Sequence, residues 1–266
     1  MTVPFNATTQ APFNDAEQLL TVEQLKSRYL IGLLNENGDL VDYKGHVIPK
    51  DTMQHHLNAS LSYLEHKLDL IILERTFVED YDYRAVDYTS FNMIPLKKRP
   101  GIEVVELKAR FPNNKDLVTY PKEWYVLEKE SSQLQLSPVE GTFSGLIVTQ
   151  GGSYVPLIYG TRDYWPHMFH VTYRAGFCAD QIPIVINDMI GMQTAIRMFE
   201  ILGDVLFGPG IMSENVGIDG ASVSKSLANS QKYALFSGRI TSYKEQMKEY
   251  IETTKKYYSG ITSIIG

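Results

Sequence analysis

The residues of this chain best suited to metal, acid–base or nucleophilic chemistry are six histidines, one cysteine and several close pairs of acids, and their spacing decides what they can do. His55-His56 precede Glu65-His66 by ten residues. A helical metal site needs ligands at i, i+3 or i+4, as in HExxH, so this spacing reads as ordinary helix-surface histidine. His167 and His170 are three apart where a strand is expected, which puts them on opposite faces and suits an interface or solvent role. Glu103/Glu106, Glu79-Asp80 and Asp80/Asp82 are close carboxylates, but acid–base work needs a cleft and divergent environments, and solvated charge is the reading they support. Gly151-Gly152 lacks the strand–GxGxxG–helix context and the following Lys-Ser/Thr of a phosphate loop, so it reads as a hairpin turn. There is no GxSxG elbow and no recognisable Cys–His pair, and Cys178 reads as a small, partly buried hydrophobe. Lys97, Lys98 and Arg99 form the densest basic cluster; they suit DNA phosphate, an acidic partner or plain solvation. These residues predict no catalytic site, no metal and no cofactor.

Bulk composition narrows the class. The 266 residues suffice for one large domain or two small ones with a sizeable core. A net charge of −6 argues against a protein that grips duplex DNA, whose phosphates need a basic surface. The single cysteine excludes an intramolecular disulfide framework. No apolar run approaches the roughly 18 residues of a membrane span, and the first residues, MTVPFNATTQAPFNDAEQ, lack the basic-then-apolar order of a signal peptide. The expectation is a soluble, non-secreted protein with an extended arm over 1–20. Seventeen tyrosines and eleven phenylalanines are more than core packing alone calls for, and tyrosine suits interfaces that are apolar at one end and wet at the other.

The elements that must carry these residues follow from periodicity. Thr21 and Gln24 form a capping box, Leu20 and Leu25 a hydrophobic staple, and a first helix is expected over about 22–33. A second, over about 51–78, carries Met53, Leu57, Leu61, Leu64, Leu68, Ile71 and Ile72 on one face. Short alternating runs from about Phe91 to Tyr173, separated by FPNNKD, SPVEGTFSG and QGGS, predict a β-rich insertion with a bulge at Val104-Val105. Phe169, Val171 and Tyr173 form its last strand. Gly176 breaks it, and Ile182-Pro183 opens an amphipathic helix over about 184–206, with Ile186, Ile190 and Ile196 facing the core. GPGIMSENVGIDGAS reads as a linker. A last helix, about 223–258, carries the stripe Phe236, Ile240, Tyr243, Met247, Tyr250, Thr254 and Tyr257. The predicted fold is α+β: a mainly helical bundle core over 21–90 and 177–207, a β-rich insertion over 91–176, and a long C-terminal helical arm over 208–266.

Read in order, TVEQLKSRYLI at 21–31, HHLNASLSYLEHKLDLIILERTFVEDYDYR at 55–84, MIPLKKRPGIEVVEL at 93–107 and the strand–YRAGF–IP–helix stretch over 169–200 resemble the head–tail connector (adaptor, or head completion) proteins of tailed phages. The resemblance covers about 21–207, is one of pattern and spacing, and implies a non-enzymatic virion protein of the neck, assembled in the host cytoplasm. It implies a homo-oligomeric ring matching a twelvefold portal, hence a dodecamer, with the portal protein above and a tail or further neck protein below. DNA would pass through without specific binding, along a wall that the acids Glu79, Asp80, Asp82 and Asp87 lead us to expect is acidic or neutral. In resembling connectors the C-terminal segment docks on the portal. That assigns Val223, Leu227, Phe236, Ile240, Tyr243, Met247, Tyr250, Tyr257, Ile261, Ile264 and Ile265 to a portal or subunit interface. The β-branched end, ITSIIG, suits strand addition to a partner's sheet edge. From the residues alone, two alternatives stay open: a helix that folds back on its own domain, and a small soluble enzyme or monomeric binding module whose site no motif encodes.

Overall fold

The computed structural model describes residues 16, 19–42, 44–84, 93–111, 115–137, 146–148, 154–156, 163–178, 181–207, 213–218, 221–226 and 236–258. Among these, four α-helices and eleven strands make an α+β protein. The chain divides into two compact units, one of residues 69–181 with the ends of the chain, the other of 12–68 and 182–253.

The helical unit begins as its sequence requires. In α1 (Val22–Tyr29) the Gln24 N–H donates to Thr21 Oγ1 at 3.2 Å and the Thr21 N–H to Gln24 Oε1 at 3.0 Å, the reciprocal capping box. Leu20 and Leu25, the staple pair, are both buried. Helix α2 (Lys50–Leu68) buries Met53, Leu57, Leu61, Leu64 and Leu68 on one stripe. It stops ten residues short of the expected end. Asp69 adopts a left-handed φ of 57°, a C-terminal turn that Asp tolerates better than most residues, so Ile71 and Ile72 belong to the connection and not to the helix face.

Helix α3 (Ile184–Phe207) follows Pro183, whose carbonyl accepts from the Ile186 N–H. The sequence predicts an amphipathic helix, but from Met189 to Leu202 α3 is buried on nearly every side, Thr194 included. Thr194 spends its hydroxyl on the Ile190 carbonyl at 2.7 Å. Packed by α1 and α2, α3 is the hub of this unit. Gly191 marks the closest approach: a Cβ there would lie 2.3 Å from the Tyr29 ring, whose hydroxyl donates to Asp188 at 2.6 Å. The unit also holds the hairpin β10 (Ser213–Ile218) and β11 (Ala221–Ser226) and most of α4 (Ser237–Tyr258).

The other unit is built on an antiparallel sheet in the order β1 (Arg75–Arg84), β9 (Tyr164–Ala175), β3 (Gly101–Arg110), β4 (Asp116–Thr119). Residues 75–84, expected at the fading end of a helix and in the segment after it, are therefore a strand. Their sequence alternates: Phe77, Tyr81 and Tyr83 are buried while Thr76, Val78 and Arg84 are exposed. The expected bulge in β3 is present, as a register shift between Val104 and Glu106. A three-stranded sheet, β2 (Met93–Pro95), β6 (Gln133–Leu136), β5 (Tyr125–Glu128), brings Ile94, Leu134 and Leu136 to the same core as Phe169, Val171 and Tyr173 of β9. The remaining pair is β7 (Leu146–Val148) with β8 (Tyr154–Pro156). The helices are thus not the only core, since the sheet unit has one of its own, with seventeen buried residues among those described, drawn from the strands and the segments that join them.

Gly176, in the turn after β9, has φ +117°, and a Cβ there would sit 2.8 Å from the backbone of Leu73 and Glu74. Only glycine meets both demands. Its N–H donates to the Pro100 carbonyl, and the next N–H, that of Phe177, to the Ile72 carbonyl.

Candidate functional site

The acids of β1 point in both directions from the sheet. Asp80 and Asp82 lie on one face. Asp80 meets His170 Nδ1 at 2.6 Å, and Asp82 accepts from the Tyr164 hydroxyl at 3.1 Å and the His167 N–H at 2.9 Å. The backbone bond and the Tyr164 hydroxyl hold the Asp82 carboxyl below its usual pKa. His167 has φ 51° and sits where β9 inserts extra residues opposite Asp82, so the alternation that was to set it against His170 is interrupted there.

Glu79 lies on the other face, in line with Phe77, Tyr81 and Tyr83, and is not the solvated acid its sequence neighbours suggested. One oxygen, Oε2, accepts from the Tyr81 hydroxyl at 2.6 Å and from the Tyr173 hydroxyl at 2.7 Å. The two phenols in turn accept the N–H groups of Lys97 and Lys98, at 2.9 and 3.1 Å. Burial, reinforced by Glu79, raises both tyrosines above their usual pKa.

The basic loop 96–100 is thereby fixed along its length. Leu96 N–H donates to Ser132 O, Ile71 N–H to Arg99 O, Gly176 N–H to Pro100 O and Gly101 N–H to Lys129 O. Arg99 pairs with Asp69 at 2.6 Å and donates to the Tyr258 carbonyl. Lys97 and Lys98 lie over the rings of Tyr81 and Phe77, at 5.0 and 6.0 Å from the ring centres. Sequence reading missed this carboxylate–diphenol clamp, although the period-two pattern of FVEDYDY carried its signal. Chemically it is a static tie, since each of these groups is already engaged.

The other sequence-level candidates are not brought together. His55 and His56 stack edge-to-face at 5.6 Å, and no group of three or more His, Cys, Asp or Glu among the described residues can hold a metal. Cys178 is partly exposed, its Sγ 3.6 Å from Glu74, which also pairs with Arg174. Gly151-Gly152 and Asp87 lie outside the described residues.

The expected interface stripe divides. Val223 is in β11, not a helix, because the SENVGI and ASVSKS runs pair as antiparallel strands. Leu227, Ile261, Ile264 and Ile265 lie outside the described residues. On α4, Ile240 and Met247 are buried within the chain. Phe236, just before the helix, stacks on Phe199 at 4.9 Å, and Tyr243 does so at 6.3 Å. Further along the stripe, Tyr250 is half-buried and Tyr257 is 60% exposed, its hydroxyl 2.6 Å from Glu130. Tyr258 packs edge-on to Phe177 at 5.5 Å. On the last turn of α4 the exposed aromatic side chain is therefore Tyr257.

The fold defines an α+β protein with a sheet-based and a helix-based unit. No family model matches the chain, and no curated protein does. Solved structures do match at a distance. A chain from the virion of a native gene transfer agent particle has a TM-score of 0.45 and 12% identity over 71% of this chain and 80% of its own. A chain from the neck of an empty gene transfer agent particle, computed with C6 symmetry, has a TM-score of 0.40 and 13% identity over 84% of this chain and 87% of its own. A third, from the neck of the native particle computed with C12 symmetry, has a TM-score of 0.35 and 14% identity over 65% and 74%.

Proposed function

We propose that the chain is a structural protein of a phage-type virion neck, a head–tail connector that assembles as a ring between portal and tail and leaves a channel for DNA. The observation that carries the reading is the junction of β9 with α3. The stretch 169–200, on which the sequence resemblance rests, folds as a central strand, a glycine turn that tolerates no side chain, and a buried core helix entered through Pro183. The excess of tyrosine supports a protein made for interfaces.

Portal contact is assigned to the C-terminal end: Tyr250, Tyr257 and the segment after Tyr258, with Ile261, Ile264 and Ile265. Phe236, Ile240, Tyr243 and Met247 serve the chain's own helical unit first, and reach a partner only together with that unit. Light scattering on the full chain, alone and mixed with purified portal protein of the same particle, tests the reading. A ring-sized species, or a stable complex with portal, is expected. A protein that stays monomeric in both mixtures is a binding module or an enzyme instead.

A further inference from the structure

The packing of α2 on α3 encloses part of a histidine beside a cation. His56, Ser60 and Tyr63 follow one another along one stripe of α2, at spacings of four and three. Ser60, in the middle, is fully buried, and its hydroxyl donates to the His56 carbonyl at 2.7 Å. At the far end, the guanidinium carbon of Arg197 on α3 lies 5.9 Å from the centre of the Tyr63 ring. His56 Nδ1 and Arg197 Nε are both shut off from solvent, and neither has a hydrogen-bond partner among the described residues.

These surroundings hold the imidazole neutral. Burial acts first, because a charged ring gives up more hydration than a neutral one; the charges of His55 and Arg197 follow, and together they lower the His56 pKa. His55 stacks edge-on to it at 5.6 Å. From α1, which also packs on α2, Glu23 is turned to Lys50 and Lys26 to Asp39, while Arg28 is exposed. On α3, Asp188 accepts from the Tyr29 hydroxyl nine residues before Arg197, and Glu200 lies three residues after it. An imidazolium carries a proton on both nitrogens, so acid also places an N–H at the enclosed Nδ1. We infer that His56 makes this packing acid-sensitive: its protonation sets an imidazolium against Arg197 at the α2–α3 contact and loosens the helical unit. The sign follows from the two states. In the unfolded chain the ring titrates near its ordinary 6.5 and in the folded chain below it, so the unfolded state takes up the proton first and stability is lost as pH falls through 6.5.

The test is histidine proton NMR and urea unfolding of the full chain from about pH 8 to about pH 5, for wild type, His56→Gln, Arg197→Met and a control, His66→Gln, at an exposed ring of the same helix. Met keeps the aliphatic stem of Arg197 and removes the charge. In wild type the His56 ring is expected to titrate below 6.5, and in Arg197→Met its midpoint should rise. Wild type and the control should lose stability more steeply than His56→Gln as pH falls through that range. Circular dichroism establishes that each variant is folded, and the His56 midpoint in wild type carries the test if a variant is not. A wild-type midpoint at or above 6.5 overturns the inference. So does a folded His56→Gln whose stability follows wild type at every pH, or a folded Arg197→Met in which the His56 midpoint does not move.

Discussion

Tyr173, with no exposed surface, and Tyr81 each donate one hydrogen bond to Glu79 and accept one N–H from the loop they hold. Tyr173→Phe leaves the Lys98 N–H without its acceptor and the Glu79 oxygen with one partner fewer, at a cost of about 1–3 kcal/mol in chemical denaturation. The pH dependence follows from the raised pKa of both phenols. In the unfolded chain they ionise near the ordinary value of 10.0, while in the folded chain they stay protonated above it. The unfolded state thus loses protons first, so stability that is complete below about pH 10 falls as pH rises beyond it. A denaturant series across that range should show the alkaline fall, and Tyr173→Phe should make it shallower. An equal slope in the two proteins would mean that the phenols are not what couples folding to pH.

Among the elements, α2 and the turn after β9 carry the clearest energetic signatures. Leu64 is fully buried in α2, and Leu64→Ala should lower unfolding free energy by about 2–5 kcal/mol, through lost burial and the cavity left behind. An effect below about 1 kcal/mol would place Leu64 outside the well-packed core. Gly176→Ala combines an unfavourable φ of +117° with a Cβ 2.8 Å from backbone atoms that cannot rotate away. It should cost roughly 1–3 kcal/mol or more, read as a lower midpoint in thermal or urea unfolding. Gly191→Ala meets the Tyr29 side chain instead, which can swing out only by giving up its bond to Asp188. Its cost should shrink when Tyr29 is also replaced by Ala, a coupling that a double-mutant cycle measures.

For the whole molecule, the structure decides which truncation isolates the proposed portal contact. Cutting after Leu206 would strip Ile240 and Met247 from the helical unit and remove the Phe236 stack on Phe199, so loss of binding there would report unfolding. Cutting after Tyr258 leaves every described helix intact. The shortened chain is expected to unfold at the same temperature as the full chain and to bind portal at least roughly tenfold more weakly, as for loss of an anchor segment. Unchanged portal affinity by surface plasmon resonance would move the contact away from Ile261, Ile264 and Ile265. The acid run of β1, the reason to expect an acidic channel wall, is bound up in the sheet unit by Tyr81, Tyr173, His170 and Tyr164 at Glu79, Asp80 and Asp82.

Several features were legible in the chain by itself because local chemistry decides them. The Thr21–Gln24 box starts α1, the apolar stripe of α2 and the positions of Ile186, Ile190 and Ile196 in α3 mark buried faces, and Gly176 must end β9. Such signals reach over a turn or two of helix, or one strand, and need no distant partner. What followed from tertiary structure alone was decided by pairing across long stretches of sequence. The 75–84 strand exists because β9, about ninety residues on, offers it a register, and that pairing overrides the helical spacing that runs up to Ile72. The same pairing turns Glu79 inward to two phenols, one of them ninety-four residues away. The packing of α4 against Phe199 likewise decides that half of an apolar stripe is core. An amphipathic pattern states that a face must be covered, and only the assembled chain states by what.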